Sequence, residues 1–163
     1  MGKPPFYRII IVGCVASIVL GILLFIEFQN DYIYPLNRAR VALLEIQATS
    51  DPQKVETQIE KIKTLLPMSG NPVWISITED TNFGLMQNDL TVMLATTDKI
   101  ATTSPDSAAF NAGMRNVHAQ ATTILFNLLD ATRWTYVNIE FILADILWIN
   151  GAFGLAVFSI KRR

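Results

Sequence analysis

The sequence is poor in the residues that build catalytic and metal sites. Its 163 residues include one cysteine, Cys14, and one histidine, His118. A single cysteine cannot form an intramolecular disulfide, and one histidine cannot supply a metal site alone. Nucleophile-elbow, zinc-protease, phosphate-loop and CxxC motifs are also missing. We therefore expect no catalytic residue, no metal, no cofactor and no small-molecule substrate on this chain.

Positive charge is not clustered in the middle of the chain. The sequence carries 13 Lys and Arg against 14 Asp and Glu, a net charge of -1. Residues 31–133 hold 8 basic and 11 acidic side chains and therefore a net charge of -3. Because nucleic-acid binding needs clustered Lys and Arg, we expect no nucleic-acid partner.

Hydrophobic residues are abundant, at 51%, and the longest apolar run lies near the beginning of the chain. Residues 9–26 read IIIVGCVASIVLGILLFI and contain no charge. With Glu27 and Phe28 the run reaches about 20 residues, enough for a hydrocarbon layer of ~30 Å. It is too long for a usual signal-peptide core, and no A-x-A-like cleavage site follows it. This pattern predicts a retained transmembrane anchor.

A second apolar run lies near the other end. Residues 141–160 read FILADILWINGAFGLAVFSI and include Asp145 and Asn150. Three positive charges follow at residues 161–163. A largely apolar stretch of this length that stops at basic residues is typical of a transmembrane helix.

The charges near the two ends predict the orientation in the membrane. Lys3 and Arg8 precede the first run and residues 161–163 follow the second, so the positive-inside rule places both tails in the cytoplasm. We expect a two-pass cell-membrane protein with cytoplasmic tails at 1–8 and 161–163. Its transmembrane helices would cover 9–28 and 136–160, with an extracytoplasmic domain at 29–135.

The intervening residues show helical punctuation. Apolar stripes and Pro or Asp start signals predict helices over 36–48, 52–66 and 82–102, and a fourth that opens at Ser104-Pro105-Asp106. No breaker follows Leu128, so the fourth helix is expected to continue to near Ile160. Residues 73–77, VWISI, are interpreted as irregular because a lone strand has no partner. The predicted fold class is all-α, an antiparallel bundle of about four helices carried by two transmembrane helices.

Asp145 is the most unusual residue of the second run. At 1.5 Å per residue it lies ~22 Å from Ile160, within the hydrocarbon layer. A carboxylate at such a depth costs roughly 2.5–3.5 kcal/mol and usually has a protein partner. One interpretation is a proton, ion or metal site shared with another subunit. The favoured interpretation is structural, either a hydrogen bond to a neighbouring helix or a protonated acid.

Small residues on both runs predict close helix packing. Gly13, Ser17 and Gly21 recur every fourth residue in the first run. We expect them to pack against the face of the second run that carries Asp145. That face of the second run also carries Ala152 and Ala156. Asn150, Gly151 and Gly154 lie on a second face, where we expect another subunit to pack.

Two functional classes follow from this layout. The first is a non-catalytic accessory subunit whose partners are membrane lipid and other integral membrane subunits. The second is an extracytoplasmic sensor or ligand-binding module, since a bundle between two membrane helices resembles the sensor domains of bacterial chemoreceptors. Those receptors need a large cytoplasmic output domain, so a sensor of the present layout would act through a membrane partner.

Several segments together suggest a more specific family. They are the opening MGKPPFYR, the first apolar run, the acidic and Thr-rich middle, and the terminal GAFGLAVFSIKRR. The chain resembles the small helical accessory subunits of archaeal ammonia monooxygenase, a copper-dependent membrane complex. The resemblance implies that the catalytic copper ligands lie on other subunits, and it assigns no functional residue here.

Overall fold

The computed structural model describes residues 5–72, 78–137 and 139–160. Within these ranges the chain is helical and contains no strand, so the all-α prediction is confirmed. Residues 73–77, which we expected to be irregular, lie outside the described ranges. The six α-helices are α1 (Pro5–Phe28), α2 (Tyr34–Ala48), α3 (Pro52–Leu65), α4 (Phe83–Ala101), α5 (Ala108–Thr135) and α6 (Ile139–Ile160).

The helices form two compact units. Helices α1 and α6 pack together in one unit, which we call the apolar pair. Helices α2–α5 form the other, Tyr32–Tyr136, which we call the bundle. In the bundle each helix packs on the next along the chain, and α2 also packs on α5.

Hydrogen bonds fix how α2 and α5 pack against each other. Gln47 Nε2 donates to Thr122 Oγ1 at 3.0 Å. The ring Nε2 of His118 lies 2.9 Å from the carbonyl oxygen of Thr49. Since residue numbers rise on α2 as they fall on α5, the two helices run antiparallel. The only histidine therefore holds the carboxyl end of α2, where a carbonyl otherwise lacks a partner.

Side-chain caps begin three bundle helices. Asp51 accepts a hydrogen bond from the backbone N–H of Gln53 before α3, and Asn82 accepts bonds from Gly84 and Leu85 in α4. Helix α5 begins later than the expected Ser104–Asp106 start. The reason is that the hydroxyl of Ser107 accepts the bond from the Phe110 N–H and so caps the helix there.

The apolar stripes of the bundle meet in one core. The predicted stripe residues of α3, α4 and α5 are buried, including Ile59, Leu90 and Ile124. Gln87 is a polar residue buried beside this apolar core, with 6% of its surface exposed. Its Nε2 donates to the carbonyl oxygens of Lys63 and Leu66, both at 3.0 Å. A buried side chain thus satisfies carbonyls that the end of α3 leaves free.

One prediction about continuity differs from the structure. We expected one helix from near Pro105 to near Ile160, but α5 ends at Thr135 and α6 begins at Ile139. Thr132 and Thr135 donate to the carbonyls of Leu128 and Ala131, four residues back. The same bonds occur inside α4 and α5, at Thr97 and Thr122 for example, but residues 132–137 are mostly β-branched or aromatic and are therefore weak helix formers. Asn138 lies outside the described residues.

Candidate interaction surface of the apolar pair

Two helical stretches of the described chain, one containing α1 and one containing α6, are long and apolar enough to cross a membrane. The core helix of a soluble protein can meet the same criterion, but it would be mostly buried. Only 6% of the most apolar segment around α1 and 11% of that around α6 is buried. Most of both segments is therefore exposed in the described part of the chain.

Glycines bring the two backbones of the apolar pair into contact. A Cβ added to Gly21 would lie 2.9 Å from the carbonyl oxygen of Ala144 and 3.0 Å from the backbone nitrogen of Trp148. A Cβ on Gly151 would lie 2.7 Å from the carbonyl oxygen of Cys14. These distances are too short for a side chain, so both positions require glycine at this separation.

Polar and aromatic contacts complete the interface. The hydroxyl of Ser17 donates to the carbonyl oxygen of Leu147 at 2.8 Å. The rings of Phe28 and Phe141 lie 5.3 Å apart between centroids, and those of Phe25 and Phe141 lie 6.1 Å apart. Tilted aromatic pairs at these distances are favourable beyond the area that they bury.

Our prediction of which α6 face meets α1 is wrong. Gly151 and Gly154, which we reserved for another subunit, pack on α1. Asp145 and Ala156 are exposed, and Ala152 is half-buried. The physical reason is that α1 offers a carboxylate no cation, and the proton of Ser17 is already donated to Leu147. Glycine also allows a closer backbone approach than alanine does.

The expected face of α1 is only partly used. Ser17 and Gly21 lie against α6, but a Cβ on Gly13 would meet nothing within 4 Å. A spacing of four residues advances about 400° around a helix of 3.6 residues per turn, so each step rotates the position by roughly 40°. Gly13 is therefore about 80° away from Gly21, and Cys14 takes its place in the interface.

Sequence reasoning missed several interface residues, namely Cys14, Ile18, Ala144, Leu147 and Trp148. A repeat of seven would have found two of them, Cys14 and Ala144. Cys14, Gly21 and Phe28 are seven apart on α1, and Ala144 and Gly151 are seven apart on α6. A seven-residue period is the spacing that keeps one face of a helix against a partner. The four-residue spacing of small residues predicts Gly13 in the interface instead of Cys14.

Four polar side chains of α6 are exposed, Glu140 and Ser159 near its ends and Asp145 and Asn150 within it. Asn150 Nδ2 donates to the carbonyl oxygen of Ile146 at 2.7 Å, within its own helix. No described residue donates a hydrogen bond to the Asp145 carboxylate, and the ion pair among described residues joins Lys54 and Asp51. Five residues apart, Asp145 and Asn150 point about 140° from each other.

A small groove of the bundle is lined in part by Gln120, whose amide oxygen is unsatisfied. Asp89, Val92, Gln120, Thr123 and Ile124 line a groove of about 190 Å³ between α4 and α5. Gln120 Oε1 is buried and has no hydrogen-bond partner. Buried polar atoms are normally paired, so this atom marks a place where a donor would be favourable.

Comparison with known proteins finds no matching family model, no matching curated protein and no matching solved structure. Within the described ranges, no group of three or more His, Cys, Asp and Glu side chains could hold a metal ion. The surface of the apolar pair is therefore interpreted from its own geometry.

Proposed function

We propose that this protein is a non-catalytic accessory subunit of a multi-subunit integral membrane complex. In this proposal α1 and α6 cross the membrane with both tails in the cytoplasm, and the bundle lies outside. The pair is a contact surface for other membrane helices as well as an anchor.

The position of Asp145 carries the proposal. In a membrane, the exposed surface of the apolar pair would face lipid unless another protein covered it. A carboxylate in that surface costs roughly 2.5–3.5 kcal/mol by insertion scales, and such residues typically face a protein interior. Because α1 does not cover Asp145, a second protein is the simplest source of that cover.

The exposed apolar residues of the apolar pair support a membrane location. Ile9, Val12, Ile149 and Phe153 each expose 58–68% of their surface. Contiguous exposed apolar surface of this kind is rare on soluble monomers and marks a membrane or protein contact.

The specific complex that we propose is a copper-dependent ammonia monooxygenase, on the layout described under Sequence analysis. Any copper ligands would then belong to other subunits. The accessory role does not depend on this identification and would stand if the complex were a different one.

Extraction from the native membrane in mild detergent tests the accessory role. We expect the chain to purify with one or more integral membrane proteins at fixed stoichiometry, measured by native mass spectrometry. Copper in the purified complex, with ammonia-oxidising activity, would support the specific identification. Recovery of the chain alone from several mild detergents would contradict the accessory role.

A second candidate function is ligand binding by the bundle, and the unpartnered Gln120 Oε1 favours it. Asp89 and Gln120 both line the α4–α5 groove, and the buried Gln120 Oε1 lacks a donor. A ligand of this groove would carry a hydrogen-bond donor, such as a primary ammonium group. Gln120→Leu should then abolish a donor-dependent thermal shift of the full-length chain. If wild-type protein shows no shift with small ammonium compounds, this candidate is excluded.

A further inference from the structure

We infer that the surface around Asp145 binds a membrane helix of a different protein that carries Lys or Arg at the depth of Asp145. This inference rests on the proposed function and names the chemistry of the partner. The binding surface consists of Asp145, Ile149, Ala152 and Ala156, which we call the Asp145 flank.

The spacing of the Asp145 flank is that of one helix contact. Its members follow each other at four, three and four residues, so they form one stripe along α6. Asp145, Ile149 and Ala156 are exposed, and Ile149 exposes 58% of its surface. The stripe that α6 presents to α1, with Ala144 and Gly151, is a different one. A second helix can therefore dock without displacing α1.

The side chains of the flank favour a close neighbour at one end and a polar neighbour at the other. Ala152 and Ala156 form a small-xxx-small pair, which lets a partner backbone approach. Asp145 lies about two to three turns away along α6. The flank thus combines an apolar contact with one fixed charge, and the charge decides which helix can occupy it.

A cation is the group that complements this charge. Residues 9–26 and 141–160 contain no Lys, Arg or His, so the apolar runs cannot neutralise Asp145 themselves. The one nearby hydroxyl that α1 places in the interface, on Ser17, donates to Leu147 instead. In an apolar medium an ionised carboxylate needs an opposite charge and hydrogen bonds together. Lys and Arg supply both.

The lack of Lys, Arg and His in the two apolar runs also argues against a second copy of this chain as the partner on the Asp145 flank. Two copies joined through the flank would oppose Asp145 to apolar residues or to another Asp145. The basic residues that follow α6 begin at Lys161, sixteen residues after Asp145 in the sequence. A second copy therefore offers no cation at the required depth.

Asn150 provides a matched control on the other side of α6. It is polar, exposed and in the same helix, but it points about 140° away from Asp145. Its amide already donates to Ile146. Asn150→Leu should consequently leave the docking of a partner on the Asp145 flank unchanged.

Photo-cross-linking in the native membrane tests the inference. A benzophenone amino acid would replace Ile149 on the flank or, as the control, Leu143, which lies about 120° around the helix. We expect position 149 to link to one protein, at a peptide from an apolar helix that contains Lys or Arg. Position 143 should link to that peptide at least tenfold less.

Substitutions then test the charge. Asp145→Asn keeps the shape and removes the charge, and we expect it to lower the cross-linked and co-purified partner about tenfold, whereas Asp145→Glu should retain most of it. Exchanging the charges, with Asp145→Lys and an acidic residue at the partner's cation, should restore assembly. Circular dichroism of each variant checks that the helices still form.

Several results would overturn the inference. They are a link to a second copy, a link to a helix without a cation, equal linking from positions 143 and 149, or full assembly of Asp145→Asn. If wild-type chain has stoichiometric partners in any of these cases, the proposed function stands and only the inference fails. If wild-type chain has no partner at all, both fail.

Discussion

The bundle and the apolar pair are both helical, yet they are stabilised in different ways. The bundle surrounds a core of buried side chains such as Leu43, Ile59 and Leu90, each fully buried. The apolar pair has little interior, and its contact depends on backbone approach at Gly21 and Gly151. A hydrophobic core works by removing apolar surface from water. Two helices in lipid gain nothing in that way, so they rely on close packing and hydrogen bonds.

The two units also differ in the surroundings of their polar side chains. In the bundle, the buried Nε2 of Gln87 donates to backbone carbonyls at the end of α3, while its Oε1 has no partner. In the apolar pair, no described residue donates a hydrogen bond to the Asp145 carboxylate, which is exposed. The bundle thus buries its apolar side chains, with two buried amide oxygens left unpaired, whereas the apolar pair leaves Asp145 and much apolar surface exposed.

The largest effect is expected from a cavity in the bundle core. Leu43→Ala removes a fully buried side chain and should lower the free energy of unfolding by about 2–5 kcal/mol. Its neighbour Leu44 exposes 43% of its surface, so Leu44→Ala should cost well under half as much. Denaturant unfolding of the full chain in detergent, followed by circular dichroism, measures both. Equal losses for the two variants would contradict the assigned core.

A smaller effect is expected from overpacking the apolar pair. Gly21→Ala would force a Cβ onto the backbone of α6 and should destabilise the pair by about 1–3 kcal/mol. Gly13→Ala is the control, because a Cβ there meets open space. Spin-label distances between α1 and α6 should lengthen or broaden for Gly21→Ala only. Unchanged distances for Gly21→Ala would show that the backbones are not in contact.

The buried amide of Gln87 gives a comparable test within the bundle. Gln87→Ala leaves carbonyls of Lys63 and Leu66 without their donor and should cost about 1–3 kcal/mol. Asn88→Ala, at the exposed neighbouring position, should change stability by less than about 0.5 kcal/mol. Amide hydrogen exchange at the end of α3 should accelerate in Gln87→Ala alone. Equal exchange in both variants would remove the capping role.

The smallest effect is expected for the hydrogen bond between the helices of the pair. Ser17→Ala removes the donor to the Leu147 carbonyl and should weaken α1–α6 packing by about 0.6 kcal/mol. Ser159→Ala removes only a bond to Leu155 in its own helix and should have no effect on packing. Thermal unfolding in detergent would separate the two variants, and a larger loss for Ser159→Ala would contradict the interface.

Sequence reasoning was more successful for the bundle than for the pair. The stripe of Phe110, Met114, Val117 and their successors on α5 predicted the buried face, because polar residues occupy the other faces and reveal the period. In the apolar runs nearly every position is hydrophobic, so hydropathy does not distinguish the face toward a helix from the face toward lipid. Only small or polar residues mark faces there.

The error at α6 had a related cause. Small residues occur on several faces of α6, and we predicted that the face with Asp145 packs on α1. Which small-residue face meets α1 depends on the distances that α1 can accommodate, and Gly151 permits a closer approach than Ala152 does. The start of α5 was also displaced, since Ser104 and Ser107 are both plausible caps and only Ser107 accepts the bond from Phe110.

The proposed function requires that another membrane protein covers the Asp145 flank. A spin label at Ile149 tests this cover by power-saturation accessibility to oxygen, which concentrates in lipid. We expect low accessibility in the native membrane and high accessibility when the purified chain is reconstituted alone. Equally high accessibility in both membranes would show that the flank faces lipid and that no partner covers it.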